Sequence, residues 1–376
     1  MNQKTALVYN PEIKNYSFGK GHPFTSERFE NFIDFAKKKL PNFKDIFEQI
    51  IPELATEKDL RLIHSQKYID VIKKASKGII IPDILRYATT DNFDPSTGYL
   101  PRGIDKAARM AVGTSLKAAN LVFGHSAELS RSQDKFKKAI SLGGGLHHAK
   151  REKGEGFCIY NDVAICAKTL LKKGLKRILI LDTDAHAGNG TSEAFYDENQ
   201  VLFIDIHQNP ATLYPGTGFI NEIGTGKGQG FTINIPLSPG ASDKSYQYVF
   251  EKIIFPIAEE FKPEIIIRNG GSDPYFADGL TNLGLTLDGF RIIGEKVRML
   301  AAKICGGKEI DLIASGYNQK ILPSAWLSLI SGLLDLKMKL KEPQKPIFPK
   351  DFKLRETKET VKEIKNYLKE YWKCFK

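Results

Sequence analysis

The stretch RILILDTDAHAGNGT, residues 177–191, constrains this chain more than any other. Ile178 to Leu181 are four apolar residues in a row and read as a short buried strand. Asp182, Asp184 and His186 follow at alternate positions. Alternate side chains of an extended chain point the same way, so two carboxylates and an imidazole converge at the C-terminal end of that strand. The small residues Ala187-Gly188-Asn189-Gly190 then leave room for other groups. Carboxylates crowded at a buried site resist ionisation unless positive charge lies between them, and a cation is the simplest source of it. The competing reading is a strand end that runs into an ordinary Asp/Asn turn; this stretch alone leaves both open.

The rest of the chain supplies a test. Short apolar strands are expected at 5–12, 137–142, 178–181, 200–208, 230–237, 264–268 and 309–314, with helices between several of them, notably 105–124, 245–261, 286–304 and 324–340. That alternation predicts an α/β fold with a central, mostly parallel sheet flanked by helices, whose ligand site lies beyond the carboxyl ends of the strands. Five of those ends carry polar or titratable groups: His147 and His148; Asp182, Asp184 and His186; Asp205 and His207; Asp273; and Gly316-Tyr317-Asn318. Chance does not place such groups repeatedly at one edge of a sheet, so the metal reading gains. Earlier in the chain a helix is expected from about Thr25, with Ser26 as N-cap and Phe29, Phe32, Ile33 and Ala36 on one face. Residues 51–76 read as mostly helical, with an extended piece near Leu60–Ile63. His22 and His64 read as structural, and Asp91 and Asp94 as turn residues of a loop that could reach a substrate.

Composition narrows the classes. At 376 residues and 41% hydrophobic, the chain can bury a substantial core. The net charge of +11 comes from lysines scattered in short clusters rather than from a basic stripe, so nucleic acid is not expected as a direct substrate. Four cysteines, Cys158, Cys166, Cys305 and Cys374, form no C-x-x-C pair, which fits a reducing cytoplasm. No apolar run reaches the length of a membrane span. Residues 341–376 form a separate segment. Its prolines interrupt the chain, and a charged helix is expected from about Arg355, with Val361, Ile364, Leu368 and Trp372 on an apolar face that packs on the domain or on another subunit.

The strand-end groups make a reaction. One histidine and two carboxylates (Asp184, His186, Asp273) with a fourth position open are the ligand set of a catalytic metal rather than a structural one. Such a site acidifies bound water and polarises a carbonyl. His147 and His148 could move protons, and Tyr317, on a flexible Ser315-Gly316 turn, could donate to an oxyanion. Together these parts describe metal-assisted amide hydrolysis. The glycine-rich GTGKGQG, residues 224–230, lacks the ending of a phosphate loop and leads into a strand, so it is discounted.

GGGLHHA, GEGFCIYNDVAI, ILDTDAHAGNGT, LYPGTG, GGSDPYFADGL and SGYN occur in that order. Over roughly residues 5–340 they resemble the histone deacetylase family of arginase-fold zinc amidohydrolases, nearest to its class IV and acetoin-utilisation members. The resemblance implies a single catalytic domain over 1–340 followed by the 341–376 segment. It implies Zn2+ on Asp184, His186 and Asp273, with His148 as base and acid and His147 as its electrostatic partner. Asp182 would orient His147, Asn189 would orient His148, and Tyr317 would polarise the acyl carbonyl. Phe157 and Tyr214, with Gly156 and Leu280, would line the substrate channel, and a structural K+ would sit near Asp182.

Several positions depart from the family pattern. Gly143-Gly144-Gly145-Leu146 replaces Arg-Pro-Pro-Gly, Ala187 follows the ligand histidine, Gly279 follows Asp278, Asp205 stands where Ser is usual, and Asn189 stands where some members carry Asp. None removes a catalytic group. The expected substrate is an acylated lysine in a peptide or protein, with acylated polyamines as the alternative and a non-catalytic acyl-lysine binding module as the alternative of another class. The sequence leaves the oligomeric state open.

Overall fold

The computed structural model describes residues 4–124, 136–346 and 351–376. Eight strands, β1 (Thr5–Val8), β2 (Phe47–Ile50), β3 (Lys138–Leu142), β4 (Ile178–Asp182), β5 (Val201–Gln208), β6 (Thr232–Leu237), β7 (Ile265–Asn269) and β8 (Glu309–Ile313), form one sheet in the order β2-β1-β3-β8-β7-β4-β5-β6. The expected α/β class, a parallel sheet with flanking helices, is the fold observed. Every residue of β4 is buried, as is usual for a parallel strand covered on both faces. The chain divides into two compact units, Met1–Leu175 with Asn189–Ala194 and Ile310–Ala314, and Lys176–Gly188 with Phe195–Glu309 and Ser315–Lys376.

In the first unit β1 pairs in parallel with β2 and β3. The 20-residue helix Ile104–Phe123 buries a small-residue face that includes Ala107, Ala111, Ala118 and Ala119. Small size matters there: a Cβ on Gly113 would stand 1.9 Å from the Glu53 carbonyl oxygen. Ser115 on this helix donates to Asp162 at 2.5 Å, and Asp162 opens the helix Asp162–Lys172. Asp162 also accepts the backbone N–H groups of Gly145 and Leu146, the latter at 2.7 Å. One buried carboxylate thus ties the loop after β3 to two helices, and that loop carries the tandem histidines.

In the second unit β4 pairs in parallel with β5 and β7, and β5 with β6. The register sets Asp182 opposite Asp205 on one side and Asn269 on the other, so β4 and β7 end level while β5 runs three residues further. The helices Leu287–Ile304 and Leu322–Leu333 approach through two glycines: a Cβ on Gly294 would meet the Leu329 carbonyl oxygen at 2.1 Å, and one on Gly332 that of Arg291 at 1.9 Å. The helix Leu354–Leu368 buries Val361, Ile364 and Leu368. Beyond it the Trp372 indole N–H donates to the Gly230 carbonyl at 2.7 Å, and its ring lies 5.2 Å from that of Phe231. Residues 347–350 of the proline-containing segment lie outside the described residues.

Three local expectations are corrected. The N-cap of the helix Arg28–Lys39 is Glu27, not Ser26, and it makes no side-chain cap. Leu60–Ile63 is the end of the short helix Glu57–Leu60 and a turn, not an extended piece, because Thr56 and Asp59 form a capping box that starts a helix there. The helix expected over 324–340 ends at Leu333, where Asp335 turns left-handed at φ 53°. Among the described residues, no helix is long and apolar enough to cross a membrane.

Candidate metal centre and proton-transfer histidines

The segment after β4 leaves the sheet and folds on its own carboxylates. Asp182 accepts the Asp184 N–H at 3.1 Å and the Asn269 amide at 2.8 Å, and Asp184 accepts the His186 N–H at 2.9 Å. The His186 ring is thereby turned so that Nδ1 lies 3.1 Å from Asp184 Oδ1 and 3.1 Å from Asp273 Oδ2. All three side chains are buried, and their ligand atoms lie within 4.8 Å of one another. Ligand atoms held at roughly 2.0–2.2 Å by a tetrahedral zinc stand about 3.4 Å apart, close to the spacing here.

The charges make the same demand. Burial favours a neutral imidazole, yet hydrogen bonds and charges from Asp184 and Asp273 outweigh it and lift His186 to about 10. Burial, followed by the charge of Asp184, pushes Asp273 up. The two carboxylates thus favour positive charge on the imidazole between them. A divalent ion would take the place of that charge, so the donor set fits zinc.

The turn that carries Tyr317 is fastened to the same carboxylates. Ser315 Oγ donates to Asp273 Oδ1 at 2.7 Å, and the Tyr317 N–H donates to Asp278 Oδ2 at 2.7 Å. The Ser315 carbonyl accepts from the Trp326 indole at 3.1 Å. Gly316 takes φ 124°, and a Cβ there would lie 1.9 Å from Ser272 Oγ, so only glycine makes this turn. The Tyr317 ring meets that of His186 edge-on, with centroids 6.1 Å apart. Asp205 accepts the Gly188 N–H at 2.8 Å, and its other oxygen faces His207 Nδ1 at 3.1 Å.

In the first unit, His148 Nδ1 is 2.8 Å from Asn189 Oδ1, and the two imidazoles meet through their Nε2 atoms at 3.1 Å. Thr191 donates its N–H to the His147 carbonyl at 3.0 Å, and the Asn161 amide donates to the carbonyls of His147 and Ala149 at 3.1 Å each. Both histidines are buried. Gly156 lies against the His148 ring: a Cβ on it would meet His148 Cδ2 at 2.3 Å. Phe157, next to it, is held at φ 64°, an uncommon backbone state for a residue with a side chain. Asp91 accepts the Gly156 N–H at 2.8 Å, so it holds this loop rather than standing free in solvent. His64 joins Lys150 and Asn161 through backbone contacts of 3.0 Å each, as expected of a structural histidine. Tyr214 and Leu280, in the second unit, are exposed.

Asp184, His186 and Asp273 are thus brought together with Tyr317 beside them, and His147, His148 and Asn189 form their own cluster. Sequence reasoning missed Glu155, which accepts from the Asn189 amide at 2.6 Å, together with Asp162, Asn269 and the tie from Asp278 to Tyr317. The Asn161-Asp162 pair at a helix start was a usable signal; nothing in the sequence marked the others.

A parallel α/β sheet with an Asp-His-Asp cluster beyond its strand ends, one that could hold a metal ion, suits an amide hydrolase, and comparison with known proteins places the chain in a deacetylase family. The family model described as "Histone deacetylase domain" matches residues 22–333, and the chain belongs to that family. It is 34% identical over 386 residues to a "Probable deacetylase" of Archaeoglobus fulgidus, covering 99% of each chain. It is 37% identical over 336 residues to the "Acetoin utilization protein AcuC" of Staphylococcus aureus, covering 88% of this chain and 82% of that one. Among solved structures it resembles the HD domain of HDA15, with a TM-score of 0.82 and 25% identity over 100% of this chain and 97% of that chain. A deacetylase-type activity, hydrolysis of an amide in an acetylated substrate, follows from that membership.

Proposed function

We propose that this chain is a zinc-dependent deacylase that removes an acyl group, most simply acetyl, from a lysine side chain. The observation that carries the reading is the convergence of Asp184, His186 and Asp273 with the Tyr317 ring beside His186. When bound there, zinc supplies an acidified water and a Lewis acid for the acyl carbonyl. His148 keeps its hydrogen on Nδ1, against Asn189 Oδ1, so its lone pair is on Nε2, which faces His147 Nε2 at 3.1 Å and would turn to the attacking water to accept its proton and return it to the departing amine. His147 adjusts the charge on His148 through their Nε2 contact. The Tyr317 hydroxyl donates to the carbonyl oxygen as the carbon becomes tetrahedral, and the Asp278 and Ser315 bonds hold its turn in place. The C–N bond then breaks, and carboxylate and free amine leave. Phe157 and Tyr214 are assigned to the walls around the lysine stem, with Gly156 and Leu280 beside them. A reducing cytoplasm as the setting and a structural K+ near Asp182 belong to the same proposal.

The test is release of acetate from acetyl-lysine peptides by zinc-loaded protein, run beside acetylputrescine. Tyr317→Phe and His148→Ala should each lower kcat by about 10²–10⁴-fold with the fold intact. Measurable turnover that neither substitution reduces would overturn the reading. A preference for acetylputrescine would overturn the lysine assignment while keeping the chemistry.

A further inference from the structure

We infer that Glu155 is a positioning residue that selects the tautomer of His148; the inference deepens, and rests on, the deacylase reading above. Asn189 lies between them, with Oδ1 2.8 Å from His148 Nδ1 and Nδ2 2.6 Å from Glu155 Oε1. The two ends of an amide are nearly alike in shape, and only their partners decide which way it points. An ionised carboxylate accepts and never donates. Glu155 therefore requires the NH2 end of Asn189 and leaves Oδ1 for the imidazole. Oδ1 also only accepts, so His148 Nδ1 carries its hydrogen and the neutral ring has its lone pair on Nε2. A carboxylate one amide removed from the imidazole has fixed which nitrogen can take a proton.

Glu155 is itself held for this task. Its carboxylate is nearly buried and meets Lys150 Nζ at 3.1 Å. Its neighbour Gly156 lies against the His148 ring, so the backbone that carries the Glu155 carboxylate also packs against that ring. Asn189 stands where some family members have Asp, and here the negative charge is moved outward from residue 189 to residue 155. With glutamine at 155, either face of Asn189 is satisfied. The amide then turns over freely, and the tautomer with hydrogen on Nε2, which cannot accept a proton there, becomes populated.

The reversal of one substitution in two backgrounds tests this. Glu155→Gln should lower kcat on acetyl-lysine peptide about tenfold, the loss of one charge-assisted hydrogen bond, with KM unchanged. In Asn189→Asp protein two carboxylates face each other, so Glu155→Gln should there raise kcat, its amide donating to the carboxylate introduced at 189. A fall in both backgrounds, or no change in either, would overturn the inference. A second measurement needs no activity. Long-range proton–nitrogen spectra of protein with 15N-labelled histidine, His148 being assigned by its loss in His148→Ala, should show the Nδ1–H form in the wild type and a mixture in Glu155→Gln. An Nε2–H form in the wild type, or identical spectra for both proteins, would overturn it. A wild type without turnover would overturn the deacylase reading, while the spectra would still decide the role of Glu155.

Discussion

The second unit holds two Asp-x-His pairs on neighbouring strands, and they do opposite things. Asp205 and His207 lie inside β5, where extended backbone points both side chains the same way, so the carboxylate and the imidazole face each other at 3.1 Å, an ion-pair distance. His207 also meets the Gly218 carbonyl through Nε2 at 2.9 Å. Burial works against its charge, but the charge of Asp205 outweighs that and shifts the imidazole upward, toward its charged form. Asp184 and His186 lie beyond the end of β4, where the chain has left the strand, and a third group, Asp273, reaches the same point. One imidazole against one carboxylate closes a pair. One imidazole against two carboxylates leaves an excess of negative charge, which a bound cation would balance. The Asp-x-His spacing alone does not make a ligand pair; the position of the strand end and the count of carboxylates do.

The largest expected effect falls on the open pair. Asp273→Asn should lower zinc affinity by more than about 100-fold, above the usual cost of losing a supporting contact, with unchanged circular dichroism; metal analysis after dialysis checks it. The closed pair should respond the other way. His207→Ala leaves Asp205 buried without its cation and should cost about 3–5 kcal/mol of stability while zinc stoichiometry stays at the wild-type value. Asp205→Asn combined with His207→Gln should cost less than His207→Ala alone, because no charge is stranded; denaturant midpoints compare them.

A buried carboxylate held by neutral donors sharpens the rule further. Burial holds Asp162 up at about 6, against an ordinary 3.8, although Ser115 and two backbone N–H groups act to lower it. The folded state then keeps a proton that the unfolded chain has lost. This stabilisation is complete below the unfolded value and is lost as pH rises through about 6. It amounts to roughly 3 kcal/mol, and Asp162→Asn should flatten the slope of stability between pH 4 and pH 7. The smallest effect belongs to the Lys150–Glu155 pair, whose lysine is about one third exposed while Asn189 also holds the nearly buried Glu155; Lys150→Met should change stability by about 1 kcal/mol.

Much of this was legible in the sequence because the informative residues sit at strand ends. β3 to β8 announced themselves as apolar runs, and Asp184, His186 and Asp273 stood just past two of them. β2 did not: its sequence FEQI is only half buried and lies between helical patterns. The register that sets Asn269 beside Asp182, and the fold that brings Glu155 to Asn189 from 34 positions away, are tertiary facts with no local period. The ends of helices were the other loss, since the stop at Leu333 depends on one left-handed residue inside an otherwise helical pattern.

The bond from Ser315 to Asp273 gives occupancy of the metal centre a mechanical reading. Asp273 would be gripped from one side by the ion and from the other by the hydroxyl at the start of the tyrosine turn. Chelation would release the first grip, leaving the turn tethered to a carboxylate that repels Asp184. Limited proteolysis should therefore cut near residues 315–318 faster in stripped protein than in loaded protein. The susceptibility of one peptide bond would then report metal loading in a crude sample, without a substrate.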